Sequence, residues 1–237
     1  MMQTTPRAPL RGPTFIRLLA RLTDAVDVPA PGQSVPHRLS HWLDWRQAIA
    51  LSTALDDKPS EVDSGAPHLD NTVEDACARV RMGLIQAIAG DQALAHGQAK
   101  AGSKEKDLGV PIDYTVFRQH YLTLQRRMHT AIGNLRSQLR GVLAQRSAEM
   151  ARLAEVDAVM EMALSPRELK VMASVPALLG QRFERLRQSR QDSPADAQLS
   201  ESAWLGVFRK DMQSLLLAEL EVRFQPVDGL LAALRAC

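Results

Sequence analysis

The sequence predicts an all-α protein: an antiparallel helical bundle with one long amphipathic helix or helical hairpin over about 112–164. Three observations carry this expectation. Alanine, leucine, arginine and glutamine dominate the 237 residues, and these are good helix formers. Apolar residues recur at three- and four-residue steps along most of the chain, which is the period of one helix face. No stretch of useful length alternates apolar and polar residues with β-branched enrichment, so strands have no signal. Helices that each carry one apolar stripe must bury it against another helix.

Residues 1–13, with Pro6, Pro9 and Pro13, read as a disordered tail, and 14–237 as a single all-α domain. "TFIRLLARLTDA" places Phe15, Leu18, Leu19 and Leu22 at helical spacing, and the prolines between Val28 and Pro36 end that helix. The stretch "LSHWLDWRQAIALSTAL" (39–55) follows. Ser34 is a candidate N-cap for it, Pro36 fits its first turn, and Trp42, Trp45 and Ile49 read as the apolar stripe of a core helix. Residues 56–71 are rich in Pro, Gly, Ser and acids, a loop signature. Thr72 and Asp75 resemble a capping box, ahead of a stripe of Val73, Cys77, Val80, Leu84 and Ile88 that Gly90 is placed to stop. Residues 90–110 then form a flexible connection.

From Tyr114 to Leu164 there is no proline. Phe117, Tyr121, Leu124, Met128, Ile132, Leu135, Leu139 and Val142 form one stripe, and Leu153, Val156, Met160 and Leu164 resume it after a polar patch at Gln145–Glu149. Either this is one long arm, or it breaks near Gly141–Ser147 into a helical hairpin. The mixed spacing is no clean heptad, which favours packing within the chain over a long symmetric coiled coil. "SPRE" (165–168) predicts a sharp boundary, with Ser165 as cap and Pro166 at the first helical position. The helix behind it, with Leu169, Met172, Leu179, Phe183 and Leu186, is expected to bend at Pro176. After a loop at 189–198, a helix from Leu199 to Phe224 carries Trp204, Leu205, Phe208, Met212, Leu216 and Leu220. Gln225–Pro226 then turns the chain into a short last helix with Val227, Leu230, Leu231 and Leu234.

Catalytic chemistry has little support. His37, His41 and Asp44 stand at i, i+4 and i+7, a spacing that could hold a metal ion, but no glutamate accompanies the histidines as in H-E-x-x-H. "GQAKAGSK" (97–104) approaches a phosphate-binding loop yet inverts the required Lys–Ser/Thr order and follows no strand. Cys77 falls on a buried stripe, where a thiol behaves as a small apolar side chain. No cofactor is called for, and the expectation is no enzyme. The N-terminus lacks the apolar run of a signal peptide and no segment is long enough to span a bilayer, so the cytoplasm is the expected location.

Charge distribution is more informative than the formal net charge of +2. No Asp or Glu lies between Tyr114 and Ala148, where Arg118, Arg126, Arg136 and Arg140 cluster along one flank of the apolar stripe. Arg167, Lys170, Arg182, Arg185, Arg187 and Arg190 form a second basic group, and acids gather at 56–75 and 149–161. A basic helical face can meet a protein, a nucleic acid or anionic lipid, or pair with acids of its own chain. Without a reading-helix motif or interleaved exposed aromatics, nucleic acid is the lesser alternative. Arg118, Arg126, Arg136 and Arg140 are therefore the candidate interaction face, for an unidentified protein partner in the first place. A homo-oligomer is also open.

"RLLARL" (17–22) leading to "LSHWLDWRQAIALSTAL", together with "LLLAELEVRFQPVDGLLAAL" (215–234), resembles an uncharacterised proteobacterial family. Its motifs read LxxWLDWxxAIALSxAL near one end and AELExRxQPVxGLxxAL near the other. The resemblance runs from near Thr14 to near Leu234 and is strongest at the two ends. It carries no activity and no site residue. It implies an association with an OmpA-like/MotA-like membrane system, which would make the chain a cytoplasmic accessory of an envelope-associated complex.

Overall fold

A computed structural model describes residues 14–23, 42–56, 71–94, 113–191 and 201–236. The expected tail at 1–13, Ser34 and Pro36, and most of the three expected loops lie outside these residues. The described residues contain seven helices and no strand: α1 (Thr14–Thr23), α2 (Trp45–Asp56), α3 (Asn71–Ala89), α4 (Tyr114–Ala144), α5 (Ala148–Met172), α6 (Val175–Gln191) and α7 (Glu201–Arg235). The class is all-α.

The long periodic run folds as a hairpin. α4 starts where the Asp113 side chain accepts the Thr115 N–H at 3.1 Å. It ends in a turn at Gln145–Arg146, and α5 begins where Ser147 caps the Met150 N–H at 3.2 Å. The expected stripe is the buried face of α4, from Phe117 to Leu139, although Leu143 rather than Val142 completes it. Two polar residues join that face, Gln125 and the hydroxyl end of Tyr121.

α4 packs along α7, the longest helix, and this pair forms the spine. Phe117 meets Phe208 edge to face at 5.2 Å, while Tyr121 and Gln125 both reach Glu219, so the two helices run parallel. Their neighbours run the other way: Glu74 of α3 pairs with Arg235, and Arg81 with Asp228. Phe183 of α6 completes an aromatic cluster with Tyr114, Phe117, Trp204 and Phe208. α1 lays Phe15 and Leu22 into the same core. α2 packs on α5 at the periphery.

Four local expectations need correction. Thr72 lies inside α3, one residue past its first, so it caps nothing. The boundary expected at Ser165–Pro166 is absent: α5 continues through Pro166 to Met172. Proline there forfeits the bond to the Met162 carbonyl, but Met162 is 69% exposed and Pro166 is exposed as well, so water can serve the freed oxygen. The break comes instead at Ala173–Ser174, and Pro176 sits in the first turn of α6, where a missing N–H costs nothing. Likewise α7 passes through Pro226 without turning, because Phe224, Val227, Leu230, Leu231 and Leu234 continue one buried face across it. Burial of a continuous stripe outweighs a single proline cost of about 3 kcal/mol.

Two glycines on the packed helices differ in the space around them. A Cβ at Gly133 would meet nothing within 4 Å, whereas one at Gly180 would lie 2.9 Å from Tyr114 Cε1. That ring is held by its hydroxyl donating to the Pro176 carbonyl. Gly133→Ala is therefore expected to raise unfolding free energy by about 0.5–1 kcal/mol through helix propensity alone. Gly180→Ala is expected to lower it by about 1 kcal/mol or more through overpacking. Urea denaturation midpoints check both signs.

Candidate interaction surface

The four arginines of the candidate face are divided by the fold. Arg118 and Arg126 are exposed on α4, and Arg126 Nε donates back to the Leu122 carbonyl at 3.3 Å. Arg136 and Arg140 instead turn toward α5. Arg136 grips Asp157 with two parallel bonds, Nε to Oδ2 at 2.8 Å and Nη2 to Oδ1 at 2.6 Å. Arg140 Nη1 donates to Asp157 Oδ2 at 2.9 Å and to Glu161 Oε2 at 2.5 Å. The geometry follows from spacing: two arginines one turn apart on α4 face two carboxylates one turn apart on α5, across a hairpin. All four side chains are largely withdrawn from water. The acid-free stretch of α4 is thus answered by the acids of the next helix, and only half of the candidate face is open to a partner.

The second basic group behaves similarly. Arg182 binds Asp211 at 3.1 Å, Arg187 binds Glu184 at 2.7 Å, and Arg185 donates to the Leu22 carbonyl at the end of α1. Lys170 stays exposed near the end of α5.

A polar cluster that the sequence reading missed lies at the centre of the spine. Glu219 is 0% exposed. Its carboxylate accepts from Tyr121 Oη at 2.7 Å, from Gln125 Nε2 at 3.0 Å and from Arg223 Nε at 2.9 Å. Arg223, itself buried, extends Nη1 to Glu168 of α5 at 2.6 Å. Gln125 also points at the Met172 carbonyl, 3.4 Å away. The signal for this cluster was present as two i, i+4 pairs, Tyr121/Gln125 and Glu219/Arg223, each set within an apolar stripe. Burial, reinforced by the Glu219 charge and hydrogen bond, holds the Tyr121 phenol well above its ordinary value. Burial pushes Tyr114 up to about 12, against the opposing pull of the Arg118 charge.

Beside this cluster a cleft of about 220 Å³ opens between α4, α5 and α7. Ile132, Gly133, Met160 and Leu164 line it, and Arg136 and Glu168 stand among its polar groups. A second hollow between α3 and α7, of about 490 Å³, is walled by Cys77, Arg81, Phe224 and Asp228. The Cys77 thiol is buried there, and desolvation followed by the carboxylates of Asp228 and Glu74 raises its pKa. Such a thiol stays protonated and unreactive.

The largest correction concerns "LSHWLDWRQAIALSTAL". Trp42 is 38% exposed, Trp45 79% and Ile49 48%, so these residues are no core stripe. Trp42 is helical, Leu43–Asp44 interrupt the helix, and α2 starts afresh at Trp45, where Asp44 and Gln47 form a reciprocal capping box. Gln47 N–H donates to Asp44 Oδ1 at 2.7 Å, and Asp44 N–H donates to Gln47 Oε1 at 2.9 Å. That register turns Leu51 and Ala54 inward and leaves Trp45 and Ile49 outside. His37 and His41 lie outside the described residues, as does "GQAKAGSK". Asp44, the third of the proposed ligands, spends its carboxylate on the cap. Among the described residues no group of three or more His, Cys, Asp or Glu is arranged to hold a metal ion. None of the described helices is long and apolar enough to cross a membrane.

Stability measurements separate the two halves of the arginine flank. Arg136→Gln takes the paired bonds from Asp157 and leaves it Arg140 alone, which is expected to cost roughly 1–3 kcal/mol, while Arg118→Gln and Arg126→Gln should change stability by less than about 0.5 kcal/mol. Equal effects in denaturant titrations would refute the division. The two tyrosines give a second test through pH. Their folded pKa values are raised, so the unfolded chain gives up phenolic protons first as pH climbs past the ordinary value of about 10. Stability is then fully retained below about pH 10 and falls progressively toward pH 12, where Tyr114 ionises in the folded state. Ultraviolet titration at 295 nm should show neither phenolate appearing near pH 10 before the helical circular dichroism is lost.

Comparison with known proteins gives one result. The family model described as a protein of unknown function, DUF3348, matches residues 1–236. No curated protein and no solved structure gives a match. Because the match spans nearly the whole chain, this protein belongs to the DUF3348 family, whose function is unknown.

Proposed function

We propose that this chain is a non-catalytic accessory protein that acts by binding another protein, with α2 as its docking helix. One observation carries the reading: Trp45, 79% exposed, stands with Ile49 and Leu55 on the outer side of a helix whose other side already packs on α5, and Trp42, also exposed, lies just before its first turn. A helix that is apolar on both sides is suited to lie between two bodies rather than at a surface. Tryptophan is the residue most often found as the energetic anchor of protein interfaces, and Arg46 beside it supplies a polar rim. A place inside the cell, beside an OmpA-like/MotA-like membrane system, belongs to this reading, and the family resemblance is what supports it. Nucleic-acid binding by the arginine flank is weakened as an alternative, since Arg136 and Arg140 already have carboxylate partners.

Affinity purification from the native host tests the reading. The wild-type chain should retain one protein in stoichiometric amount, and the double variant Trp45→Ser, Ile49→Ser should lose it while its melting temperature stays within about 2 °C. Retention of the same protein by both forms would remove α2 from the interface. Retained nucleic acid whose binding falls steeply with salt, and is lost in Arg118→Gln with Arg126→Gln, would replace the reading altogether.

A further inference from the structure

We infer that α5 is a strap which lifts from the spine as a unit with α2, that salt favours the lifted state, and that α1, α3, α4, α6 and α7 remain folded when it does. The inference is independent of what α2 binds.

Four observations support it. α5 has 25 residues, yet only Ala154, Ala163 and Met172 are buried, two of them alanines. α4, in contrast, buries Phe117, Tyr121, Met128 and Leu139 among others. Hydrophobic attachment scales with apolar area removed from water, and α5 has fewer fully buried apolar residues than its hairpin partner. Beneath it lies the cleft of about 220 Å³ bounded by Ile132, Met160 and Leu164, where side chains of the strap and the spine fail to close on one another. Beside the few apolar contacts of Met150, Ala154 and Met172, much of the attachment is ionic: Asp157 and Glu161 to Arg136 and Arg140, and Glu168 to Arg223. Finally, Pro166 removes one backbone bond from the strap itself.

The charge arrangement makes lifting feasible. When Glu168 departs, Arg223 keeps Glu219, which it holds at 2.8 Å, so no buried cation is left alone. Arg136 and Arg140 lie along the edge that the strap uncovers and become hydrated. Gln125 and the buried Met172 anchor the far end next to the break at Ala173–Ser174. α2 has its packing partner in α5 and moves with it. Salt acts selectively: the Debye length shrinks from about 10 Å at 0.1 M to about 3 Å at 1 M, which weakens the partly exposed pairs of Glu161 and Glu168. The apolar α4–α7 contact is not weakened by the same change.

Hydrogen exchange on the intact chain, read by mass spectrometry at fixed pH and temperature, decides the matter. In low salt, peptides from 45–56 and 148–168 should exchange together, about tenfold or more faster than peptides from α4 and α7. Raising sodium chloride to about 1 M should speed the first group several-fold and leave the second unchanged. The double variant Asp157→Asn, Glu161→Gln should reproduce the high-salt pattern in low salt. If that variant does not fold, the wild-type salt series stands alone as the test. Exchange of 148–168 at the rate of α7, or without dependence on salt, overturns the inference.

Discussion

The carboxylate of Glu219, closed off from water between α4 and α7, is the constraint around which the helices are arranged. A carboxylate in an apolar seam is tolerable only if every lone pair it directs into the protein meets a donor. Tyr121, Gln125 and Arg223 supply those donors, and each comes from a fixed height on its helix. Leucine-rich seams can slide past one another by a turn at modest cost, since apolar contacts are interchangeable. The two polar pairs cannot, because a one-turn slip would leave the Glu219 carboxylate with Arg223 as its one remaining donor and take the Tyr121 and Gln125 donors on α4 away from their acceptor. The register of the parallel spine is therefore set electrostatically, although apolar burial supplies most of its free energy. α5 is referenced to the same point through Glu168 and Arg223.

How far the sequence could be read follows from this division of labour. α4 was legible because its stripe is long, regular and buried on one side, so periodicity alone places Phe117, Tyr121, Leu124, Met128, Ile132, Leu135 and Leu139 in the core. The hairpin could not be resolved by pattern, since the polar patch at Gln145–Glu149 fits either a turn or an exposed helical surface. Pro166 and Pro226 misled for a common reason. Breaker signals are local, whereas the decision to continue a helix is made by the packing on both sides of it. The buried stripe of α7 runs unbroken from Leu205 to Leu234, and the proline is accommodated within it.

The candidate site was legible in composition and not in placement. Sequence alone showed that arginines without acids fill one stretch and acids gather in the next, and pairing within the chain was one of the outcomes left open. Which arginines would pair depended on the exact turn position: a hairpin closing at Gln145–Arg146 sets residues 136 and 140 opposite 157 and 161, and leaves 118 and 126 beyond their reach. The tryptophans failed differently. Both sides of α2 are apolar, so periodicity gives no preference for which side faces inward. The Asp44–Gln47 capping box, readable as D-x-x-Q, resolves that ambiguity by fixing the first turn of the helix.

These two features together invert the usual relation between core and surface in the α2–α5 layer. Toward the spine α5 buries Ala154, Ala163 and Met172 and sets Asp157 and Glu161 against arginines; away from it the layer presents Trp45, Ile49, Met162 and Val171. An isolated domain optimised only for its own stability would place the large apolar residues inward, where each contributes about 1.5–3 kcal/mol, and the charges outward. The opposite distribution keeps the layer soluble in its contacts with its own spine and adhesive toward its surroundings. Its ionic attachment is directional and tunable, and its apolar exterior is neither. A layer built this way can change its distance from the spine without unfolding the core, because the Glu219 cluster holds α4 and α7 in register whether or not Glu168 is in place.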